Sequence, residues 1–257
     1  MRILLTGASR GIGRAIAETL SAGGHSVALC ASRPSDALDE TIALCPGSFG
    51  LTGDLGKAET APRLVDEAVS GMGGLDAVIS NAGIVTSGNL TDMPTTEWDR
   101  VFDVNTRAPW RLATAAYPHL KAAGAGASFV AVASMSGVEP YPGTGAYSAS
   151  KAALIMMVRT LALEWAASGV RANCASPGLF LSSMTAPIYA DPDKKAAREA
   201  LVPMHRIGEP ARDFAGLVRF LISPEAGYVT GQNILADGGL IGSIHGQIAG
   251  RPKSGNI

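Results

Sequence analysis

The sequence predicts an α/β domain built on a parallel sheet. Three observations predict it. Short apolar runs alternate with amphipathic stretches along the whole chain. The first run leads through a glycine-rich turn into a helical pattern. The composition, 47% apolar with 31 glycines, suits a buried sheet joined by many tight turns. At 257 residues, one α/β sheet accommodates the chain as a single domain spanning residues 1–257.

The elements follow in order. Ile3–Thr6 is a first strand, and Ile12–Ala22 a helix. Ser26–Ala31 and Ser48–Leu51 are strands, with a helix over Ser35–Leu44 between them. Glu59–Ser70 is helical, and Leu75–Ser80 is a strand. The pattern over Thr96–Ala123 predicts one long helix. Ala127–Ser134 is a strand, Ala146–Ser168 a helix and Val170–Ala175 a strand. A helix over Glu209–Ile222 precedes the seventh strand, Asn233–Ala236.

Between Gly178 and Gly208 the rhythm breaks. Prolines 187, 192 and 203 surround one charged helical piece, Asp193–Leu201. An insertion after the carboxyl end of a strand is where such sheets keep substrate lids, so residues 179–207 read as a lid. A surface loop without that role fits the same pattern.

Composition excludes several classes. A net charge of −1 with 17% charged residues gives no field for nucleic acid or an anionic membrane. No apolar run reaches the ~18 residues of a membrane span. Cys30, Cys45 and Cys174 are odd in number and form no CxxC pair. They read as buried thiols in a reducing compartment, with no metal site. A strand beginning at Arg2 leaves no room for a signal peptide, so a cytoplasmic protein is expected.

Two segments carry chemistry. Thr6-Gly7-Ala8-Ser9-Arg10-Gly11-Ile12-Gly13 joins the first strand to the first helix. Glycines let that backbone approach a ligand closely, and the helix start offers free N–H groups to a pyrophosphate. The spacing GxxxGxG differs from the dinucleotide pattern GxGxxG. Farther on, Tyr147 and Lys151 are four residues apart, one helical turn, with Ser134 thirteen residues before the tyrosine. A cation beside a phenol lowers its pKa and suits it to moving a proton on an alcohol oxygen. A surface tyrosine and lysine meeting on a helix satisfy the same spacing.

The order of motifs identifies the chain as similar to the short-chain dehydrogenase/reductase superfamily in its roughly 250-residue form. The Thr6–Gly13 turn, Asp54-Leu55, Asn81-Ala82-Gly83, Asn105, Ser134, Tyr147-x-x-x-Lys151 and Pro177-Gly178 carry the resemblance. Arg206–Pro210, Tyr228–Gln232 and Asp237-Gly238-Gly239 extend it to about Gly239. It implies a Rossmann-like seven-stranded parallel sheet with helices on both faces, and an NAD(P)-dependent oxidoreductase acting on an alcohol or ketone.

The resemblance also assigns residues. Ser134, preferred over Ser136 because Gly137 follows it by three, would hold the substrate oxygen. Tyr147 would give or take the proton. Lys151 would lower the tyrosine pKa and bind the nicotinamide ribose. Asn105 would hold a water that extends the relay. Gly7, Ser9, Arg10, Gly11, Ile12 and Gly13 would hold the dinucleotide's phosphates. Asp54 and Leu55 would lie at the adenine, although an N-cap of the following helix also suits Asp54. Asn81, Ala82 and Gly83 would line the adenine ribose. Pro177 and Gly178 would border the nicotinamide, and Ser182 stands where relatives usually carry a threonine for the carboxamide. The second strand ends Ala31-Ser32-Arg33 with no acid before Asp36. Ser32, Arg33 and Arg10 therefore favour NADP over NAD.

The substrate is less defined. Val138, Glu139, Tyr141, Leu179, Phe180 and the lid residues Met184, Ile188 and Tyr189 suit a small or medium, partly apolar carbonyl or alcohol. Lys194, Lys195 and Arg198 allow an acidic acyl carrier, making 3-oxoacyl-carrier-protein reduction an alternative. A catalytically silent dinucleotide-binding sensor or scaffold is a second alternative, opposed by the presence of both Tyr147 and Lys151. The resemblance further implies a homotetramer or homodimer, with a glycine-rich tail over 241–257.

Overall fold

The computed structural model describes residues 1–182 and 185–243. Seven strands, all paired in parallel, form one sheet. They are β1 (Arg2–Thr6), β2 (Ser26–Ala31), β3 (Phe49–Thr52), β4 (Ala77–Ser80), β5 (Ser128–Val132), β6 (Arg171–Pro177) and β7 (Asn233–Ala236). Their order across the sheet is β3-β2-β1-β4-β5-β6-β7. The winding reverses between β1 and β4, and ligand crevices open outside the carboxyl ends of strands at such a point.

The helices are α1 (Gly11–Ala22), α2 (Asp36–Ala43), α3 (Thr60–Met72), α4 (Thr95–Phe102), α5 (Ala108–Ala123), α6 (Tyr147–Trp165), α7 (Ala186–Tyr189), α8 (Pro192–Leu201) and α9 (Ala215–Ile222). Successive strand residues point to opposite faces, so the sheet has two cores. Leu4 packs with Leu64, Leu112, Phe129 and Leu154 beneath α3, α5 and α6. Ile3 and Leu5 pack with Ile16, Leu29, Phe214 and Leu221 beneath α1 and α9. Burial on both faces is why the strands read as continuous apolar runs.

The structure corrects three expectations. The helix expected over Thr96–Ala123 is broken by a π-helical turn, Asp103–Arg107. Asn105 is buried within that turn, and its side chain is bound by a loop 21 residues earlier in the chain. The helix expected from Glu209 likewise opens with a π turn, Pro210–Phe214, before α9. The segment expected to be a lid contains the short helix α7 ahead of the expected α8. The two ends of the lid meet: Leu181 donates to the Gly208 carbonyl, and Gly208 to that of Leu179, each at 2.9 Å. Ser183, Met184 and residues 244–257, which include most of the expected tail, lie outside the described residues.

Candidate active site

A cleft of about 1070 Å³ runs along the carboxyl ends of the strands. Its wall includes Gly7, Ser9, Arg10, Gly11, Ile12 and Gly13 at one end, and Tyr147, Lys151, Pro177 and Ser182 at the other. Ser32, Asp54, Leu55, Asn81, Ala82 and Gly83 lie in the same wall. Arg33 is exposed and outside it, one residue beyond Ser32.

The glycine turn is fixed from beneath. Gly7 and Gly11 adopt φ of 67° and 57°, which residues with a side chain rarely reach. Thr6 Oγ1 accepts from the backbone N–H groups of Asn81 and Ala82, both at 3.1 Å. Asn81 Nδ2 donates back to the carbonyls of Thr6 and Gly7, both at 3.0 Å. A Cβ on Gly7 would stand 2.9 Å from Ala82 Cα, and one on Gly13 would fall on the Gly7 carbonyl oxygen. Asn81 thus clamps the turn to β4 as well as lining the cleft. No side chain caps α1, and its first turn holds no acidic residue. Its leading N–H groups and dipole are left for an anion, so the residues present fit a dinucleotide's phosphates.

Asp54 is not a helix cap, because α3 starts at Thr60. Its Oδ1 accepts from Gly56 N at 3.0 Å, which holds the loop after β3 in a tight turn. Gly178 is absent from the wall. A Cβ there would stand 2.6 Å from Asp237 Cβ, so this glycine lets the chain after β6 pass the end of β7. Ser182 does line the cleft, and its hydroxyl lies 3.1 Å from that of Thr185.

The far end gathers the expected proton-handling groups. Ser134 follows β5 and is 7% exposed, with its Oγ accepting from Ser136 N at 3.1 Å. Gly137 presses this turn against α6: a Cβ would be 2.8 Å from the Lys151 carbonyl carbon. Lys151 is buried and donates from Nζ to the Val132 carbonyl at 2.9 Å. Asn105 is fully buried. Its Oδ1 accepts from Ile84 N at 2.9 Å, and its Nδ2 donates to Ile84 O at 2.9 Å and to Ser150 Oγ at 3.0 Å. A Cβ built on Gly83 would lie 3.3 Å from Asn105 Oδ1 and 3.4 Å from Lys151 Nζ. Both groups therefore converge on one glycine in the cleft wall. With both amide protons used, a water at the Asn105 side chain would have to donate to Oδ1.

One electrostatic expectation is corrected. Desolvation pushes the Tyr147 phenol up, and the hydroxyl of Ser134 opposes that rise. Desolvation pushes the Lys151 ammonium down to about 8, opposed by Cys174. Lys151 Nζ is 5.8 Å from the centre of the Tyr147 ring, and loss of water is the largest influence on both groups. Burial therefore favours the neutral phenol.

Sequence reasoning missed Ile84 and Ser150, which bind Asn105, and the cleft residues Lys57 and Arg100. Ser150 sits inside the Tyr147–Lys151 segment, one turn after Tyr147. The peptide of Ile84 has no side-chain signal. Among the described residues, no group of acids, histidines and cysteines is arranged for a metal. No described helix is long and apolar enough to cross a membrane.

A family model described as enoyl-(acyl carrier protein) reductase matches residues 7–241. The dehydrogenase/reductase SDR family member 4 of Bos taurus is 38% identical over 94% of this chain and 87% of its own length. The 3-oxoacyl-[acyl-carrier-protein] reductase FabG of Staphylococcus epidermidis is 34% identical, covering 92% of this chain and 97% of that protein. The Pseudomonas aeruginosa RhlG/NADP active-site complex superposes with a TM-score of 0.87 at 31% identity, over 93% of this chain and 95% of that one. With its winding, glycine turn and buried Ser134, Asn105 and Lys151 around Tyr147, the chain belongs to the short-chain dehydrogenase/reductase family.

Proposed function

We propose that this protein moves a hydride reversibly between NADP and a small or medium, partly apolar alcohol or ketone. The observation that carries the reading is a single cleft whose wall holds both the uncapped Gly7–Gly13 turn and the Tyr147–Lys151 pair. The nicotinamide, when bound, supplies or accepts the hydride.

The chain's own residues do the rest. The α1 amides and the Gly7–Gly13 turn hold the phosphates, and Asp54, Leu55, Asn81, Ala82 and Gly83 flank the adenosine. Pro177 and Ser182 border the nicotinamide. Ser134 donates to the substrate oxygen, and Tyr147 delivers the proton in reduction and removes it in oxidation. Lys151 orients the ribose. Asn105 braces the relay behind Lys151.

NADP is preferred because β2 ends without an acid, and because Arg10 and Ser32 stand in the cleft wall. The bound NADP of the similar Pseudomonas structure agrees. An acidic carrier finds less support, since the lid's cations have partners of their own. Lys194 pairs with Asp191 at 2.8 Å, Lys195 with Glu199 at 3.6 Å, and Arg198 lies over the Tyr189 ring. We read the chain as one domain with a substrate lid over 179–207. Exposed Trp110, Met156 and Leu163 on α5 and α6, and Tyr228 before β7, support a homotetramer. Three free, buried cysteines suit the cytoplasm.

The test is Tyr147→Phe assayed on a panel of alcohols and ketones with both dinucleotides. Turnover is expected to vanish while the NADP Kd stays within about twofold. Retention of more than about 5% of kcat would refute the tyrosine's role.

A further inference from the structure

We infer that Ser150 is a positioning residue for the reaction: its buried hydroxyl couples the turn that carries Asn105 to the helical turn that carries Tyr147. This rests on the proton-relay reading above. Ser150 is fully buried and immediately precedes Lys151. Its Oγ donates to the Tyr147 carbonyl at 2.7 Å and accepts from Asn105 Nδ2 at 3.0 Å. One hydroxyl therefore touches the amide of Asn105 and the backbone of Tyr147.

A second bond joins the same two elements. Thr106, the next residue of the π turn, donates from Oγ1 to the Ser150 carbonyl at 3.0 Å. The π turn thus reaches residue 150 twice, from adjacent positions. This bears on why that turn departs from α-helical geometry. Extra residues in a helical turn re-aim side chains, and such turns gather at functional sites. Here Asn105 Oδ1 and Nδ2 engage the Ile84 peptide while Nδ2 also reaches α6. Ile84 alone fixes which way the amide faces. The contact with Ser150 fixes how far Asn105 stands from the first turn of α6, and so from Tyr147 and Lys151.

An alanine at 150 removes only the oxygen. It leaves one Nδ2 proton of the fully buried Asn105 without its acceptor. The helix itself is expected to tolerate the change, since alanine is the best helix former.

The experiment is a double-mutant cycle on the full-length protein with Ser150→Ala, Asn105→Ala and both together. Melting temperature, kcat, KM and the NADP Kd are measured for each. Ser150→Ala should lower kcat about tenfold with the NADP Kd unchanged, and should cost nothing further in the Asn105→Ala background. Its melting shift should likewise disappear in that background. Additive melting shifts would overturn the coupling. A non-additive melting shift with kcat at the parent level would overturn the positioning role. If the parent protein turned over no alcohol or ketone with either dinucleotide, the proposed function would fall and the positioning role with it. The melting cycle would still decide whether the coupling exists.

Discussion

The two ends of the cleft are built on opposite principles. The phosphate end is held by bonds the protein makes to itself: Thr6 and Asn81 tie the Gly7 turn to β4 through four hydrogen bonds. It buries no formal charge, and what it offers a ligand is backbone. The proton end buries Lys151 in surroundings that push its ammonium down to about 8, and raises the Tyr147 phenol. One end stabilises the fold and the other stores unfavourable desolvation within it. The contrast is between a backbone turn fixed by hydrogen bonds and a side-chain pair that burial holds away from its ordinary titration. The two should respond differently to substitution.

The sharpest way to break the comparison is at the phosphate end. Gly13→Ala drives a methyl onto the Gly7 carbonyl and toward Asn81 Nδ2. We expect little soluble protein, and dinucleotide binding at least about a hundredfold weaker in what folds, read by fluorescence titration. Near-normal affinity would mean that this backbone is not the binding element.

Lys151→Met should do the reverse: kcat falls about a hundredfold while the fold gains stability. The sign follows from the direction of the shift. Unfolded, the lysine titrates near 10.5; folded, near 8. Below pH 8 both states are charged and the folded state carries the full desolvation cost. Between 8 and 10.5 the unfolded state binds the proton and the folded state does not, so this cost fades as pH rises. The difference corresponds to roughly 3 kcal/mol at most, offset in part by the Val132 carbonyl losing its donor. Methionine should therefore raise the melting temperature at pH 7, with the gain shrinking toward pH 10. A difference that stays constant across that range would show that Lys151 is not the desolvated cation described.

A smaller effect lies between the two ends. Ala31 closes β2, is buried and lines the cleft. Ala31→Asp should shift the ratio of kcat/KM from NADP toward NAD by about tenfold, through repulsion of the 2′-phosphate and bonding to a ribose hydroxyl. Equal ratios before and after would remove the cofactor assignment.

These contrasts also explain what could be read from the chain. The strands were legible because both faces of the sheet are covered, which leaves uninterrupted apolar runs such as Ser26–Ala31. The glycine turn and the Tyr147–Lys151 spacing were legible because both are local. The break at Asp103–Arg107 was not, since it depends on the Ile84 peptide 21 residues away in sequence. The direction of the Tyr147 shift was misread for a related reason. Spacing gives the distance to a cation, but desolvation depends on everything packed around the pair. Asp54 and Gly178 show the same limit: the helix-cap alternative for Asp54 fails because its carboxylate turns to Gly56, and Gly178, expected in the cleft wall, instead lets the chain pass Asp237.

The join between Leu179–Leu181 and Gly208 has a consequence for how such proteins diversify. Gly208 lies flat against the Phe180 ring, where a Cβ would come within 2.8 Å, and paired backbone seals the base of the excursion. The segment beyond that base is a cassette. Because its base is closed, we expect changes in its length beyond Ser182 to carry a modest entropic cost and to leave the sheet as it is.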